Sequence, residues 1–116
     1  PDGTGVRDYI HVSDLASAHV LALEALIAEP NRNHLLNCGY GRGFSVLEVL
    51  DAVDRVTNLK ITRTMEGRRA GDPDSLISDN RAIMARFPWE PKHADLDEIV
   101  AHALAWERKL SEIRGE

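Results

Sequence analysis

"VRDYIHVSDLASAHVLALEALIAE", residues 6–29, changes its hydrophobic period partway along, and that change decides the fold class. Val6 to Val12 alternates and is rich in β-branched and aromatic side chains, the pattern of a strand. Period two puts Arg7, Tyr9 and His11 on one face and Val6, Asp8, Ile10 and Val12 on the other. Arg7 and Tyr9 are therefore expected to look into the same space. From Ser13 to Glu29 the spacing becomes helical. Ser13 or Asp14 is placed to cap the start, and Pro30 lies just beyond the end. Leu15, Val20, Leu21, Leu23, Leu26 and Ile27 cover much of the helix circumference, which predicts burial on more than one side.

The same reading extends outward along the chain. "HLLNC" (His34 to Cys38) is a short apolar run between turn signals and predicts a buried strand. "GYGRGF" follows as a glycine loop. Ser45 with Glu48 forms a Ser-x-x-Glu capping box opening a helix, with Val46, Val49, Leu50, Val53 and Val56 as its apolar stripe. "KITRTM" (Lys60 to Met65) alternates as a strand. "LIS" (Leu76 to Ser78) reads as extended, and Asp79 is placed to cap a brief helix through Arg86. After "FPWEP", Asp95 with Glu98 makes a second box-like start. The last helix carries Leu96, Ile99, Val100, Ala103, Leu104, Trp106 and Leu110, and Gly115 fits its end. Strands alternating with helices predict a mixed α/β fold of short strands packed with helices.

Bulk properties bound the function. With 116 residues there is room for one domain, spanning 1–116. The formal charge of −5 argues against general nucleic-acid binding. A local arginine cluster can still bind a small anion against the global charge. The single cysteine, Cys38, cannot form an internal disulfide, which fits a reducing, cytoplasmic setting. No apolar run is long enough for a membrane span, and no signal peptide is visible. The start "PDGTGVRDYI" lacks methionine and reads as a piece of something longer.

One loop poses a chemical question. "EGRRAGDPDSL" (Glu66 to Leu76) places Arg68 beside Arg69 shortly before Asp72. Adjacent like charges are tolerated if water solvates them or if an anion sits between them. Arg7 on its strand must likewise find an anion or reach solvent, and for a lone arginine a structural salt bridge is the ordinary answer. The arginine fork suits a diphosphate, and an aspartate in the same loop suits hydroxyl groups. Arginine with aspartate therefore points to a ligand carrying both phosphate and sugar.

Other motifs are weaker. "GYGRGF" has Phe44 where a dinucleotide fingerprint needs its third glycine, and no acidic residue follows to hold a ribose. A tight strand-to-helix turn explains it, although the helix N-terminus behind it can add partial positive charge near a ligand. The five histidines are scattered, without zinc-ligand spacing. His11 and His19 read as packing or capping residues. No nucleophile elbow is present.

The segments "DGTGVRDYIHVSDLASAH", "LLNCGYGRGFSVLEV", "RRAGDPDSLISDNRA" and "FPWEPKHADLDEIV" together resemble the C-terminal part of UDP-glucose 4-epimerases, in the extended short-chain dehydrogenase/reductase family. "VRDYIHV" marks the broader sugar-nucleotide group, and "RRAGDP" at this distance narrows it to 4-epimerases of UDP-hexoses. The resemblance implies the substrate-binding part of an enzyme that interconverts UDP-glucose and UDP-galactose through a 4-keto sugar, using NAD. The NAD-binding Rossmann part, with its catalytic Tyr-x-x-x-Lys, would lie in a missing N-terminal domain. Carried over by position, Arg7 and Arg69 would hold the diphosphate and Asp72 the uridine ribose. Tyr9 and Val46 would be secondary pocket residues, and Arg68 would face solvent or help the local field.

The resemblance also implies that this chain alone binds no NAD, has no catalytic residue or metal, and is inactive. Its partners would be a UDP-hexose, the N-terminal domain and possible further copies in a homo-oligomer. Leu76 stands where some members have an aromatic residue near the ligand. Neighbouring readings are another sugar-nucleotide epimerase, decarboxylase or dehydratase, and a non-catalytic nucleotide-sugar-binding or interaction domain.

Overall fold

The computed structural model describes residues 2–116. Three two-residue strands form one sheet in the order β2-β1-β3. The central strand β1 (Val6–Arg7) pairs antiparallel with β2 (Phe44–Ser45) and parallel with β3 (Ser75–Leu76). Val6 lies opposite Ser45 and Ser75, and Arg7 lies opposite Phe44 and Leu76. Around the sheet lie α1 (Val12–Ala28), α2 (Val46–Thr57), α3 (Arg81–Arg86) and α4 (Leu96–Arg114). The mixed α/β class is as expected, but the strands are far shorter than the alternation predicted.

The reason is a side chain. Beyond Arg7, Asp8 turns its carboxylate toward the neighbouring segments and accepts from the amides of Tyr40 (3.0 Å), Gly41 (2.9 Å) and Ser78 (3.3 Å). Those amides bond a carboxylate instead of a strand backbone, so the ladder stops after two residues. Gly39 is required for this closure. A Cβ there would lie 2.6 Å from Asp8 Oδ2 and 2.6 Å from Ser78 Cβ. "GYGRGF" is thus a turn closed on Asp8, with Gly41 at φ 73°.

Helix α1 starts one residue before the expected cap. Its N-cap is His11, whose Nδ1 accepts from the Ser13 amide at 3.0 Å. Asp14 is released from capping and turns inward. Its carboxylate accepts from the Tyr40 hydroxyl (2.5 Å) and from the amides of Lys92 and His93 (2.9 Å each). The Trp89 indole donates to the Asp14 carbonyl at 3.0 Å. The expected burial of α1 on several sides is not observed: only Asp14 and Ala18 are buried, while Val12 and Ile27 are each 72% exposed. No described segment covers that face.

The Ser45–Glu48 capping box of α2 is complete. Asp95 caps α4, but Glu98 does not reach back to close a second box and instead accepts from His93 Nδ1 at 2.6 Å. Gly115 ends α4 in the left-handed conformation. Helix α3 has Asn80 at its N-cap without a side-chain cap bond. Asp79, the expected cap, accepts from the Arg81 amide and guanidinium instead.

Residues 34–38 and 60–65 form no strand. The first run keeps its alternation, with Leu36 and Cys38 turned inward and Leu35 exposed, but no strand pairs with it. The second is pinned along α2 by side chains.

Two small apolar clusters hold these elements. Ala18, Ile83, Phe87 and Trp89 join α1, α3 and the "FPWEP" segment. Ala52, Leu96 and Val100 join α2 to α4, with Phe44, Val49, Val53 and Val56 packed around them. The radius of gyration is 17.2 Å, where a closed domain of this length would have about 13 Å. Among the described residues no helix is long and apolar enough to cross a membrane.

Candidate functional site

A turn and a strand pairing bring distant charges together. In "RRAGD", the Asp72 amide donates to the Arg69 carbonyl at 3.3 Å, and Gly71 takes φ 80°. That is the position at which a type II turn favours glycine. The turn places the Arg69 and Asp72 side chains on one side. The parallel β1–β3 pairing, extended by Val6 donating to the Asp74 carbonyl at 2.9 Å, then sets this turn beside Arg7.

Arg7 Nη2 donates to Asp72 Oδ1 at 2.5 Å, and Arg7 Nη1 donates to its neighbour's carbonyl, Val6 O, at 2.7 Å. Arg69 Nη2 lies 3.7 Å from the other carboxylate oxygen, with its side chain 88% exposed. Two guanidiniums thus share one carboxylate and keep an excess positive charge. Arg68 pairs with Asp74 at the surface, which removes it from the cluster.

Beside this cluster is an open cavity of about 580 Å³. Arg69 and Asp72 lie on its wall, opposite Val46, Leu47 and Leu50 of α2, and residues 62–69 form one side. The structure therefore gathers four of the five proposed site residues: Arg69, Asp72 and Val46 on the cavity and Arg7 joined to it through Asp72. Tyr9 is half-buried and does not line the cavity. The paired strand ends at Arg7, so Tyr9 lies beyond it.

The N-terminus of α2 is not open to a ligand. Val46 N donates to Gly5 O (3.1 Å), Leu47 N to Thr4 Oγ1 (3.3 Å) and Glu48 N to Ser45 Oγ (3.1 Å). Ser45 Oγ in turn donates to Asp2 Oδ2 at 2.5 Å. That bond, with those from the Thr4 amide and hydroxyl, holds the Asp2 carboxyl down at about 2. The helix end braces residues 2–5 as the cavity rim, and its dipole is spent on the protein's own groups.

The sequence reading missed Thr62, Arg63 and Met65 on the cavity wall, because a predicted strand carried no sign of facing a ligand. It also left the histidines scattered, whereas three of them gather. His11 Nε2 lies 2.7 Å from His102 Nδ1, and the His11 ring stacks on His93 at 4.6 Å. Since His11 Nδ1 accepts from Ser13, Nε2 carries the proton and donates to His102. This chain ties the start of α1 to α4 and lies outside the cavity.

Comparison with known proteins finds relatives along the whole chain. Residues 1–39 match the model of the NAD dependent epimerase/dehydratase family. A UDP-glucose 4-epimerase of Azospirillum brasilense is 49% identical over all 116 residues, which make up 33% of that protein. Among solved structures, a UDP-glucose 4-epimerase of Stenotrophomonas maltophila, with bound NAD and formylated UDP-arabinopyranose, is 40% identical with a TM-score of 0.87. The match covers 97% of this chain and 33% of that one. The UDP-Glc/GlcNAc 4-epimerase of Campylobacter jejuni is 44% identical with a TM-score of 0.82, over 93% of this chain and 32% of its own. The chain thus spans about a third of the length of the relatives it matches. By sequence over its whole length and by fold, the chain is similar to a C-terminal portion of UDP-glucose 4-epimerases, and its residues 1–39 match the NAD dependent epimerase/dehydratase family.

Proposed function

We propose that residues 1–116 are the substrate-anchoring part of a UDP-glucose 4-epimerase, with Arg7 and Arg69 holding the diphosphate and Asp72 the uridine ribose. The observation that carries this is the convergence of Arg7, Asp72 and Arg69 beside one open cavity. Val46 supplies an apolar wall, and Tyr9 acts from outside the cavity as a packing residue at most.

The division of labour follows from the reaction. Interconverting UDP-glucose and UDP-galactose requires the hexose to present either face at C4, so a tight grip on the sugar opposes turnover. Binding is better placed on the UDP, which does not react. NAD, held by the N-terminal part of the protein, supplies hydride acceptance and return. The residues here bind and orient the nucleotide. Asp72 keeps Arg7 aligned before the ligand arrives, which lowers the ordering cost of binding. The exposed apolar face of α1, including Val12, Val20, Leu23 and Ile27, is the seat proposed for the NAD-binding part.

The test is a titration of UDP into the 116-residue chain, followed residue by residue by NMR. We expect weak binding, because the cavity is open on one side, with shifts centred on Val46 and residues 67–72. Arg69→Ala should weaken it by about tenfold, the loss of one charge-assisted contact. Shifts elsewhere, or affinity indifferent to Arg69 and Arg7, would sink the assignment. The isolated chain should show no epimerase turnover with UDP-galactose and NAD.

A further inference from the structure

Residues 58–71 carry one side of the cavity, yet no strand ladder holds them. From Asn58 to Gly71 every residue is exposed except Arg63. Its guanidinium lies against α2, where Nη1 donates to Asp51 Oδ1 at 2.6 Å and Nη2 to Asp54 Oδ2. Asp51 and Asp54 stand one turn apart on α2, a spacing that a planar fork spans and a point charge does not. Asp54 uses its second oxygen, Oδ1, to accept from the Ile61 amide at 3.0 Å. The same two aspartates thus grip both the backbone and the side chain of this wall. Val46, Leu47 and Leu50 of α2 face the cavity from the other side, so the grip fixes the distance between the walls.

We propose that Arg63 is a positioning residue that braces residues 60–67 against α2 and so sets the fit of the nucleoside end of the ligand. The role toward the ligand rests on the UDP reading above. Arg63 differs from Arg69 in kind. Its charge is already met by two carboxylates, whereas the nearest carboxylate oxygen to Arg69 is 3.7 Å away. Arg63 acts on the wall and makes no phosphate contact.

Two measurements on the 116-residue chain test it. In hydrogen exchange, Arg63→Gln should speed exchange of the Ile61 amide, which donates to Asp54 Oδ1, by about tenfold, with α2 and α4 unchanged, and Arg63→Lys should recover part of the protection. In titrations, Arg63→Gln should weaken uridine and UDP by the same factor, while Arg69→Ala weakens UDP and leaves uridine alone. Unchanged exchange in Arg63→Gln overturns the brace. Faster exchange with unaltered uridine and UDP affinity overturns the positioning role. If the unsubstituted chain binds neither compound, the nucleotide reading falls and the positioning role with it, while exchange still decides the brace.

Discussion

Arg7 and Asp72 meet at 2.5 Å across 65 residues of chain, and this contact joins the central strand to the loop "RRAGDPD". Both side chains are about one-third exposed, so screening limits the energy of the pair. Asp72→Ala should lower stability by no more than about 1 kcal/mol. Its larger effect should be on UDP binding, because Arg7 is then unaligned. Thermal unfolding and UDP titration on the same variant measure the two effects. A large stability loss with unchanged binding would make the pair structural only.

Gly71 has nothing within 4 Å of where its Cβ would be, so its cost of substitution is conformational. Its φ of 80° disfavours any side chain by about 1 kcal/mol. Gly71→Ala should therefore fold but open the turn that keeps Arg69 beside Asp72, and weaken UDP binding. Gly43 is the contrast. A Cβ there would overlap Val6 Cγ1 and come within 2.8 Å of Ile77 Cδ1, so Gly43→Ala should destabilise by about 1–3 kcal/mol through the sheet. Chemical denaturation of both variants separates strain in a loop from a clash beside the sheet.

Asp14 makes stability depend on pH. Burial works to raise its carboxyl, but the Lys92 amide, the Tyr40 hydroxyl and the His93 amide together hold it below its ordinary value. The unfolded chain therefore takes up a proton on Asp14 at higher pH than the folded one. Stabilisation from Asp14 is complete above the ordinary carboxylate range and is lost as pH falls through the folded value. Asp2 adds to this between about 3.8 and about 2, its lowered value in the fold. Asp14→Asn should cost about 2 kcal/mol at neutral pH and flatten the acid limb of stability. Urea midpoints measured from pH 7 to 2 check both.

His11 caps α1 and bonds His102, so His11→Ala removes two contacts at once. The expected loss is about 1–2 kcal/mol, most of it from the cap. His11→Asn should recover the capping share, and His102→Ala should cost less than His11→Ala because it leaves the cap intact. Denaturant midpoints that rank the three variants differently would show that Ser13 or Asp14 takes over the start of the helix.

How far the sequence carries can be seen at particular residues. Its local signals were reliable where the cause is local. The Ser45–Glu48 box, the Asp95 cap and the Gly115 end depend on neighbours a few residues apart, and all three form as read. That arginine, glycine and aspartate share one loop was also legible in "RRAGD", since the residues sit within five positions. The strands were not. Val6–Val12 and Lys60–Met65 alternate correctly, yet a ladder needs a partner backbone, and Asp8 and Arg63 replace backbone pairing with side-chain bonds.

By itself, then, the sequence determined the helices and the caps of α2 and α4, because these rest on spacing within one or two turns. Only the tertiary structure decided that Arg7, Arg69 and Asp72 meet, that Tyr9 stands apart, that His11 caps α1 in place of Asp14, and that α1 keeps an apolar face uncovered. Each of these depends on partners brought from distant positions, and local pattern carries no measure of that distance.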